Sequence, residues 1–456
     1  MQEETSGEPG AMKPLSELAQ NLAEALTRRD REAIRSLVAG LQAPDLADLI
    51  ELLTPDQRTQ LVQTLGATFD PEALSELDES VRDQLLRDLP NTIVAKAVAE
   101  LETDDAAYVL ENLAEGERRQ ILALIPIVGR AALERNLEYP EDTAGRLMQT
   151  DFVAVPPFWS VGQVIDHMRE ADDLPDTFSD IYVVDPTYHV VGSVDLSRLL
   201  RTKREVPVNM IMDGARQVVL ATADQEEVAR QFERYDLKSA PVVDANKRLV
   251  GVVTVDDVVE VIHEEAEEDL HRLGGVGDES VMDTVVDTVR NRFSWLLINL
   301  ATALLASSVI KLFDATIGQM VALAVLMPIV ASMGGNAATQ TMTVTVRALA
   351  TRDLGPANSL RIIVREASVG FVNGVAFAAI IGLVVLLWFG VGTLGLVIAT
   401  AMICNFVAAA LAGILIPLTL SRLGYDPAVA SGVFVTTVTD VVGFFAFLGL
   451  ASLWLQ

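Results

Sequence analysis

The sequence predicts a multidomain chain with three architectures: an all-α soluble region, a duplicated α/β unit and an all-α membrane domain of five transmembrane helices. Three observations carry this reading. After Arg290 come five stretches of about 20 or more mostly apolar residues, each long enough to cross roughly 30 Å of hydrocarbon as a helix. Ahead of them a strand, turn, strand and helix pattern occurs twice at an offset of 59 residues. The region before that is rich in Leu, Ala, Glu, Asp and Arg, with apolar residues at helical spacing.

Residues 1–13 are read as a disordered tail. Met1 to Gly10 is acidic and contains Gly and Pro, without the basic start and apolar core of a cleaved signal, so the soluble half is expected to stay in the cytoplasm. Residues 14–137 follow as a helical domain with a weak repeat of period near 60. Asp45, Ala47, Ile50, Leu53 and Arg58 recur as Asp105, Ala107, Leu110, Leu113 and Arg118. A stack of short helices fits this pattern, and so does a helical bundle without true repeats.

From Glu138 the texture changes to short β-branched runs alternating with helices. Tyr182-Val183-Val184-Asp185 and Val190-Val191-Gly192 return as Pro241-Val242-Val243-Asp244 and Leu249-Val250-Gly251, with helices beginning at Leu196 and Val255. This duplication, over about 143–264, resembles a tandem pair of CBS domains, with the first copy at 138–205 and the second at 206–264. The resemblance implies a site for the ribose and phosphates of an adenine nucleotide such as ATP at a Gly-x-x-Thr/Ser-x-x-Asp segment. The second copy fits through Gly251, Thr254 and Asp257, whereas Asp195 and Arg198 stand at the matching places of the first. One nucleotide site is therefore compatible with the sequence, not two. Equally, Thr254 can be a plain helix N-cap, with Asp257 favouring the N-terminal dipole.

Residues 265–290 form an acidic connecting segment, beginning in the run Glu264-Glu265-Ala266-Glu267-Glu268-Asp269. Spacings of three and four place Asp257, Glu260, Glu264 and Glu267 or Glu268 along one helical face. A solvated helix survives such repulsion at tenths of a kcal/mol per exposed pair. The other reading is that divalent cations bridge this face to acids such as Asp104 and Asp105, whose own plain role is to favour a helix N-terminus. No enzyme motif is found. His263-Glu264 begins like a zinc-protease helix, but position 267 is Glu rather than His, and Gly274-Gly275-Val276-Gly277 follows a helix rather than a strand, as a hinge would.

The spans are read as 293–312, 320–346, 367–389, 394–420 and 428–455 within a membrane domain at 291–456. Eight Lys/Arg and five Asp/Glu lie from Arg290 onward, so of the formal charge of −29 the first 289 residues carry about −32. Nucleic acid is a poor partner for such a surface, and a divalent cation is a better one. Arg290, Arg292, Arg347, Arg352, Arg361, Arg365 and Arg422 share one side if the N-terminus is inside, which leaves the C-terminus outside. The single cysteine, Cys404, lies within an apolar span and excludes an intrachain disulfide.

Asp440 is the one charged side chain in the interior of these spans as read. A carboxylate at bilayer depth costs roughly 2.5–3.5 kcal/mol on insertion scales, so it persists where it faces an ion path or a partner. Asn336, Thr339, Gln340 and Thr343 share one face of the second span, beside Ser332, Gly334 and Gly335, and Gly432, Thr436, Asp440 and Gly443 form a comparable stripe in the fifth. Interhelical contacts explain the threonines and glycines, but not the charge.

Pro328-Ile329-Val330-Ala331-Ser332-Met333-Gly334-Gly335-Asn336-Ala337-Ala338-Thr339-Gln340 resembles the second-span signature of MgtE magnesium channels. Asp426-Pro427-Ala428 through Thr439-Asp440 resembles their fifth-span motif, and Arg347 through Asp353 the intervening cytoplasmic loop. The order of domains fits along nearly the whole chain. What the resemblance implies is a homodimeric, lipid-embedded Mg²⁺ channel of the plasma (inner) membrane. Asp440, Asn336 and Gly335 would hold hydrated Mg²⁺ in the pore. Asp104, Asp105, Asp256, Asp257, Glu260, Glu264, Glu267 and Glu268 would sense cytoplasmic Mg²⁺, with the connecting helix as plug. Gly432 departs from the pattern, since some members carry Asn there. Two other readings stay open: a proton-coupled transporter of Co²⁺, Ni²⁺ or Mn²⁺, and a membrane-tethered adenine-nucleotide sensor.

Overall fold

The computed structural model describes residues 14–171, 174–175, 177–215, 217–276, 285–352, 354–355 and 358–455. The tail at 1–13, part of the connecting segment at 277–284, and Gly277 and Asp353 of the motifs above lie outside the described residues. The chain divides into two compact units after Glu265.

Among the described residues the first unit opens with nine short α-helices between Leu15 and Leu137. Some of them start at side-chain caps. Asp30 accepts from the Ala33 N–H, and Thr54 and Gln57 form a capping box. The repeat read from sequence is a packing repeat: Ala47 and Ala107, Ile50 and Leu110, and Leu53 and Leu113 are all buried in one core. Its arginines diverge. Arg58 donates from Nε to the Ile50 carbonyl (3.1 Å) and from Nη2 to that of Glu51 (2.9 Å), closing the end of the preceding helix, Ala43–Glu51.

The duplicated region forms two sheets. In the first, β1 (Ala154–Val155), β2 (Asp180–Val184), β3 (Val190–Asp195) and β4 (Asp213–Gly214) lie in that order; in the second, β5 (Val219–Leu220), β6 (Ser239–Val243) and β7 (Leu249–Thr254) do. The offset of 59 holds to the register. Asp180 pairs with Asp195 as Ser239 does with Thr254, and each hairpin carries its irregularity at the equivalent step, Val183/Val184 and Val242/Val243. The turns repeat as well. Asp185 accepts from the N–H groups of Thr187 (2.8 Å) and His189 (2.9 Å), and Asp244 from those of Asn246 (2.8 Å) and Arg248 (2.9 Å).

A helix over Val255–Gly274 follows β7 without a break and ends where Gly275 adopts φ +69, the left-handed turn that glycine permits. Of the connecting segment as read, 265–274 are the outer part of this helix and 285–290 open the next one.

Among the described residues the second unit contains five helices long and apolar enough to cross a membrane: M1 (Val285–Lys311), M2 (Ala322–Ala350), M3 (Ser359–Phe389), M4 (Gly392–Arg422) and M5 (Pro427–Trp454). M3 starts eight residues before the apolar stretch read from sequence. Arg361 and Arg365 thus sit in its first turns rather than in a loop, because a helix continues past the hydrocarbon boundary wherever polar side chains reach water. Glu366 joins Asp440 as an acid within a membrane-unit helix. M4 is the central helix, packed on M3 through Gly370, Gly374 and Gly382, where an added Cβ would crowd Phe406, Ile403 and Gly395.

Candidate functional site

Asn336 lies fourteen residues from the end of M2 at Ala350, and Asp440 thirteen from the start of M5 at Pro427. Those two ends share a membrane side, and at about 1.5 Å per residue both side chains stand about 20 Å from it along their helices. The two residues that the sequence assigns to an ion path thus share a depth. Asp440 is partly buried, and among the described residues no side chain donates a hydrogen bond to its carboxylate or pairs with it. On M2, Asn336, Thr339, Gln340 and Thr343 are all exposed on the single chain. A polar stripe in mid-span is unstable against lipid, so it requires a protein partner or water. A Cβ at Gly335 would meet nothing within 4 Å, unlike one at Gly334, so packing within this chain does not demand glycine there.

The residue that aligns M2 with M5 is Asn405 of M4, fully buried at 0% exposure. Its Nδ2 donates to the Val330 carbonyl of M2 at 2.8 Å, and it fills the space left by the missing side chains of Gly334 on M2 and Gly443 on M5. Its Oδ1 finds no protein donor among the described residues. Sequence reasoning passed over Asn405, although it is the lone carboxamide in M4.

In the first unit the structure gathers Asp104, Asp105, Asp257 and Glu260, with Asp256 beside them. Glu102 and Glu76, not named from sequence, join the group. The acidic run Glu102-Thr103-Asp104-Asp105 was the available signal. Burial pushes Glu102 up to about 7, and Asp257, Asp105 and Asp256 add repulsion. Asp105 rises to about 6 through burial and Asp257, and Glu260 to about 7 through burial, Asp105 and Asp257. Asp104, 7% exposed, is held well above the carboxylate range by burial and by Asp257, and its Oδ2 has no hydrogen-bond donor among the described residues. Asp257 is raised in turn, chiefly by burial.

Glu264 differs from these. It is raised by burial and Glu265, but the guanidinium of Arg82 pulls it down. Arg82 is itself 0% exposed, 4.0 Å from the centre of the Tyr108 ring. Toward the far end of the connecting helix, Glu268 is ion-paired with Arg272, and Glu267 lies 3.9 Å from His271. Among the described residues no three His, Cys, Asp or Glu side chains are arranged to hold a metal ion directly.

The nucleotide set is divided. Thr254 donates from N (3.1 Å) and Oγ1 (2.5 Å) to Asp257 Oδ2, which is a helix cap. Gly251 is glycine because a Cβ would lie 2.6 Å from Met148 Sδ and 2.7 Å from the Gln149 carbonyl. Thr254 lines a cavity of about 300 Å³ with Tyr182, Lys238 and Asp256, and neither Gly251 nor Asp257 reaches it. In the first copy, Arg198 pairs with Asp213 (2.8 Å) and Asp195 with Lys238 (3.1 Å).

Residues 41–142 match the family described as MgtE intracellular N domain, 144–205 and 210–264 match the CBS domain, and 327–450 match MgtE, divalent cation transporter. The chain is 30% identical over 423 residues to the magnesium transporter MgtE of Bacillus subtilis, covering 92% of this chain and 94% of that protein. It is 33% identical over 446 residues to the magnesium transporter MgtE of Thermus thermophilus, covering 96% and 99%. A crystal structure of the cytosolic domain of the Mg²⁺ channel MgtE in complex with ATP is 33% identical, covers 53% of this chain and 99% of that one, and superposes with a TM-score of 0.49.

Five apolar helices, an intracellular N domain and a CBS pair define a multi-pass membrane transporter of divalent cations, not an enzyme. The chain belongs to the MgtE family of magnesium transporters.

Proposed function

We propose that this chain is a homodimeric, Mg²⁺-selective channel of the plasma membrane, with its C-terminus outside, closed by Mg²⁺ at its acidic cytosolic unit. The observation that carries the reading is the shared depth of Asn336 and Asp440, about 20 Å along M2 and M5. A two-fold axis along that seam covers the exposed polar stripe of M2 and sets two Asp440 carboxylates about one hydrated ion. Gly335 lets the backbone approach the same ion.

Gating follows from the acid group. Asp104, Asp105, Asp256, Asp257 and Glu260 repel one another when ionised, so the compact arrangement is favoured only when cations or protons neutralise them. Mg²⁺ binds the compact form better than the separated one and shifts the population toward it. Glu264, Glu267 and Glu268 continue the charge along the connecting helix, which acts as the plug. An adenine nucleotide at Thr254 and Lys238 accompanies this reading. The cavity also carries Glu102, Asp151, Asp180 and Asp256, so the ligand would be a divalent-nucleotide complex rather than a free polyanion.

The test is Mg²⁺ uptake by liposomes holding the full chain, with and without Asp440→Asn, while Mg²⁺ on the cytosolic face is varied. Asp440→Asn should abolish uptake, and raised cytosolic Mg²⁺ should suppress it in the unaltered chain. Uptake unchanged by the substitution sinks the pore, and uptake indifferent to cytosolic Mg²⁺ sinks the gate. Dependence on a pH gradient would instead mark proton-coupled transport.

A further inference from the structure

Between M2 and M3 lies a second polar place in the membrane unit. M3 is drawn tightly to M4 by its glycines, and this leaves a cavity of about 350 Å³ on its M2 side. Its lining includes Asn336 and Gln340 from M2, and Glu366 and Asn373 from M3. Among the described residues no hydrogen bond engages the carboxamides of Asn336, Gln340 or Asn373. Glu366 is only 9% exposed. Its ion partner is its sequence neighbour Arg365, at 3.1 Å, which also lines the cavity and whose side chain is 67% exposed.

We propose that Glu366, with the carboxamide of Gln340 nearest it in depth and those of Asn336 and Asn373 deeper in the same cavity, forms a second site for a hydrated divalent cation in the membrane unit. Glu366 is seven residues from the start of M3 at Ser359, so it stands about 10 Å from the membrane side to which Asp440 is about 20 Å distant. Asn336, level with Asp440, lines the same cavity and is its link to that depth. One carboxylate and neutral oxygens around a partly hydrated ion is how Mg²⁺ is commonly held. The cavity accommodates a full first shell, six waters at about 30 Å³ each. Arg365 competes with the ion for Glu366, which keeps the site weak enough to release it. The inference rests on the channel reading above.

The two charged residues give opposite expectations. In liposome uptake, Glu366→Gln should raise the half-saturating Mg²⁺ concentration about tenfold or more, as loss of a metal-orienting group does. Arg365→Gln should lower it, because the competing cation is gone. Mn²⁺ counted by electron paramagnetic resonance on the full chain should fall by one ion per chain in Glu366→Gln and stay constant in Arg365→Gln. If the pair merely ties the helix end, both substitutions move uptake in the same direction or not at all and the Mn²⁺ count is unchanged, and the site is refuted. Asp440→Asn separates the two readings. Uptake abolished by Asp440→Asn but indifferent to Glu366→Gln and Arg365→Gln overturns this site alone, whereas uptake indifferent to Asp440→Asn overturns the channel itself.

Discussion

Arg272, near the end of the connecting helix, is ion-paired with Asp426, the residue that caps M5 by accepting a 2.7 Å hydrogen bond from the Ala428 N–H. Glu268, one turn earlier, shares the same guanidinium. Beside it, Leu273 packs with Ala338 of M2 and with Ala428 and Val435 of M5. A Cβ at Gly432 would lie 3.9 Å from the Leu273 carbonyl. The helix end is thus fastened at the base of M2 and M5, the two helices that carry Asn336 and Asp440, by a cation built into the chain.

Breaking that pair should loosen the closed state. Arg272→Glu sets three carboxylates together and removes a partly exposed pair worth about 1 kcal/mol, so the closed-to-open ratio should fall about fivefold. Liposome uptake at saturating cytosolic Mg²⁺ should rise accordingly, and Arg272→Lys should retain most of the block. Equal leak from both variants argues against a latch made by charge.

The acid group predicts a pH dependence with a definite sign. Glu102 and Glu260 sit at about 7 and Asp105 at about 6, all above their free values of 4.5 and 3.8. The compact unit therefore binds protons better than the separated one. The stabilisation is complete below the free values and is lost as pH rises through about 6 to 7. In thermal unfolding of the full chain without divalent ions, the cytosolic transition should come at higher temperature at pH 6 than at pH 8. Mg²⁺ should raise it more at pH 8, where the ligands are ionised. A Mg²⁺ shift independent of pH contradicts the assignment.

What was legible in the sequence is what repeats or follows a period. The hairpins at Tyr182 and Pro241 returned with register and bulge intact because the Asp185 and Asp244 turns repeat with them. The five spans were legible because hydrocarbon demands length and apolarity. Helix ends were less so. M3 runs back to Ser359 since backbone hydrogen bonding is indifferent to the change from lipid to water, and Glu366 was hidden among the charges assigned to a loop. Convergence was illegible. Nothing in the order of residues sets Glu102 and Glu76 beside Asp257 and Glu260, or Arg82 against Glu264, because those neighbours come from segments far apart in the chain.

The seam around Asn405 predicts a rescue. Gly443→Ala places a methyl 2.8 Å from Asn405 Nδ2, an overpacking that typically costs about 1–3 kcal/mol. Asn405→Ala alone loses one interhelical hydrogen bond, about 0.6 kcal/mol in membranes, together with the packing of its side chain. The double substitution should unfold at a higher temperature than Gly443→Ala alone, since the space is restored. Additive losses would show that the two residues do not share the seam.

Asp104 supplies the most direct test of the cytosolic group. It is buried and raised by Asp257, and its Oδ1 accepts from the Asp105 N–H at 3.0 Å, a bond that the oxygen of an asparagine side chain can keep. Asp104→Asn therefore removes a charge without removing the helix-end contact. Burial and Asp257 disfavour a charge at this place, so a neutral amide removes a cost that the unaltered chain bears on folding at neutral pH. Without divalent ions the cytosolic transition should move to higher temperature, and the further rise on adding Mg²⁺ should shrink because a ligand has gone. Asp45→Asn, at the repeat equivalent of Asp105 on a partly exposed helix start, should alter neither value. A variant that is less stable without Mg²⁺ than the unaltered chain would mean that Asp104 holds the fold rather than the ion.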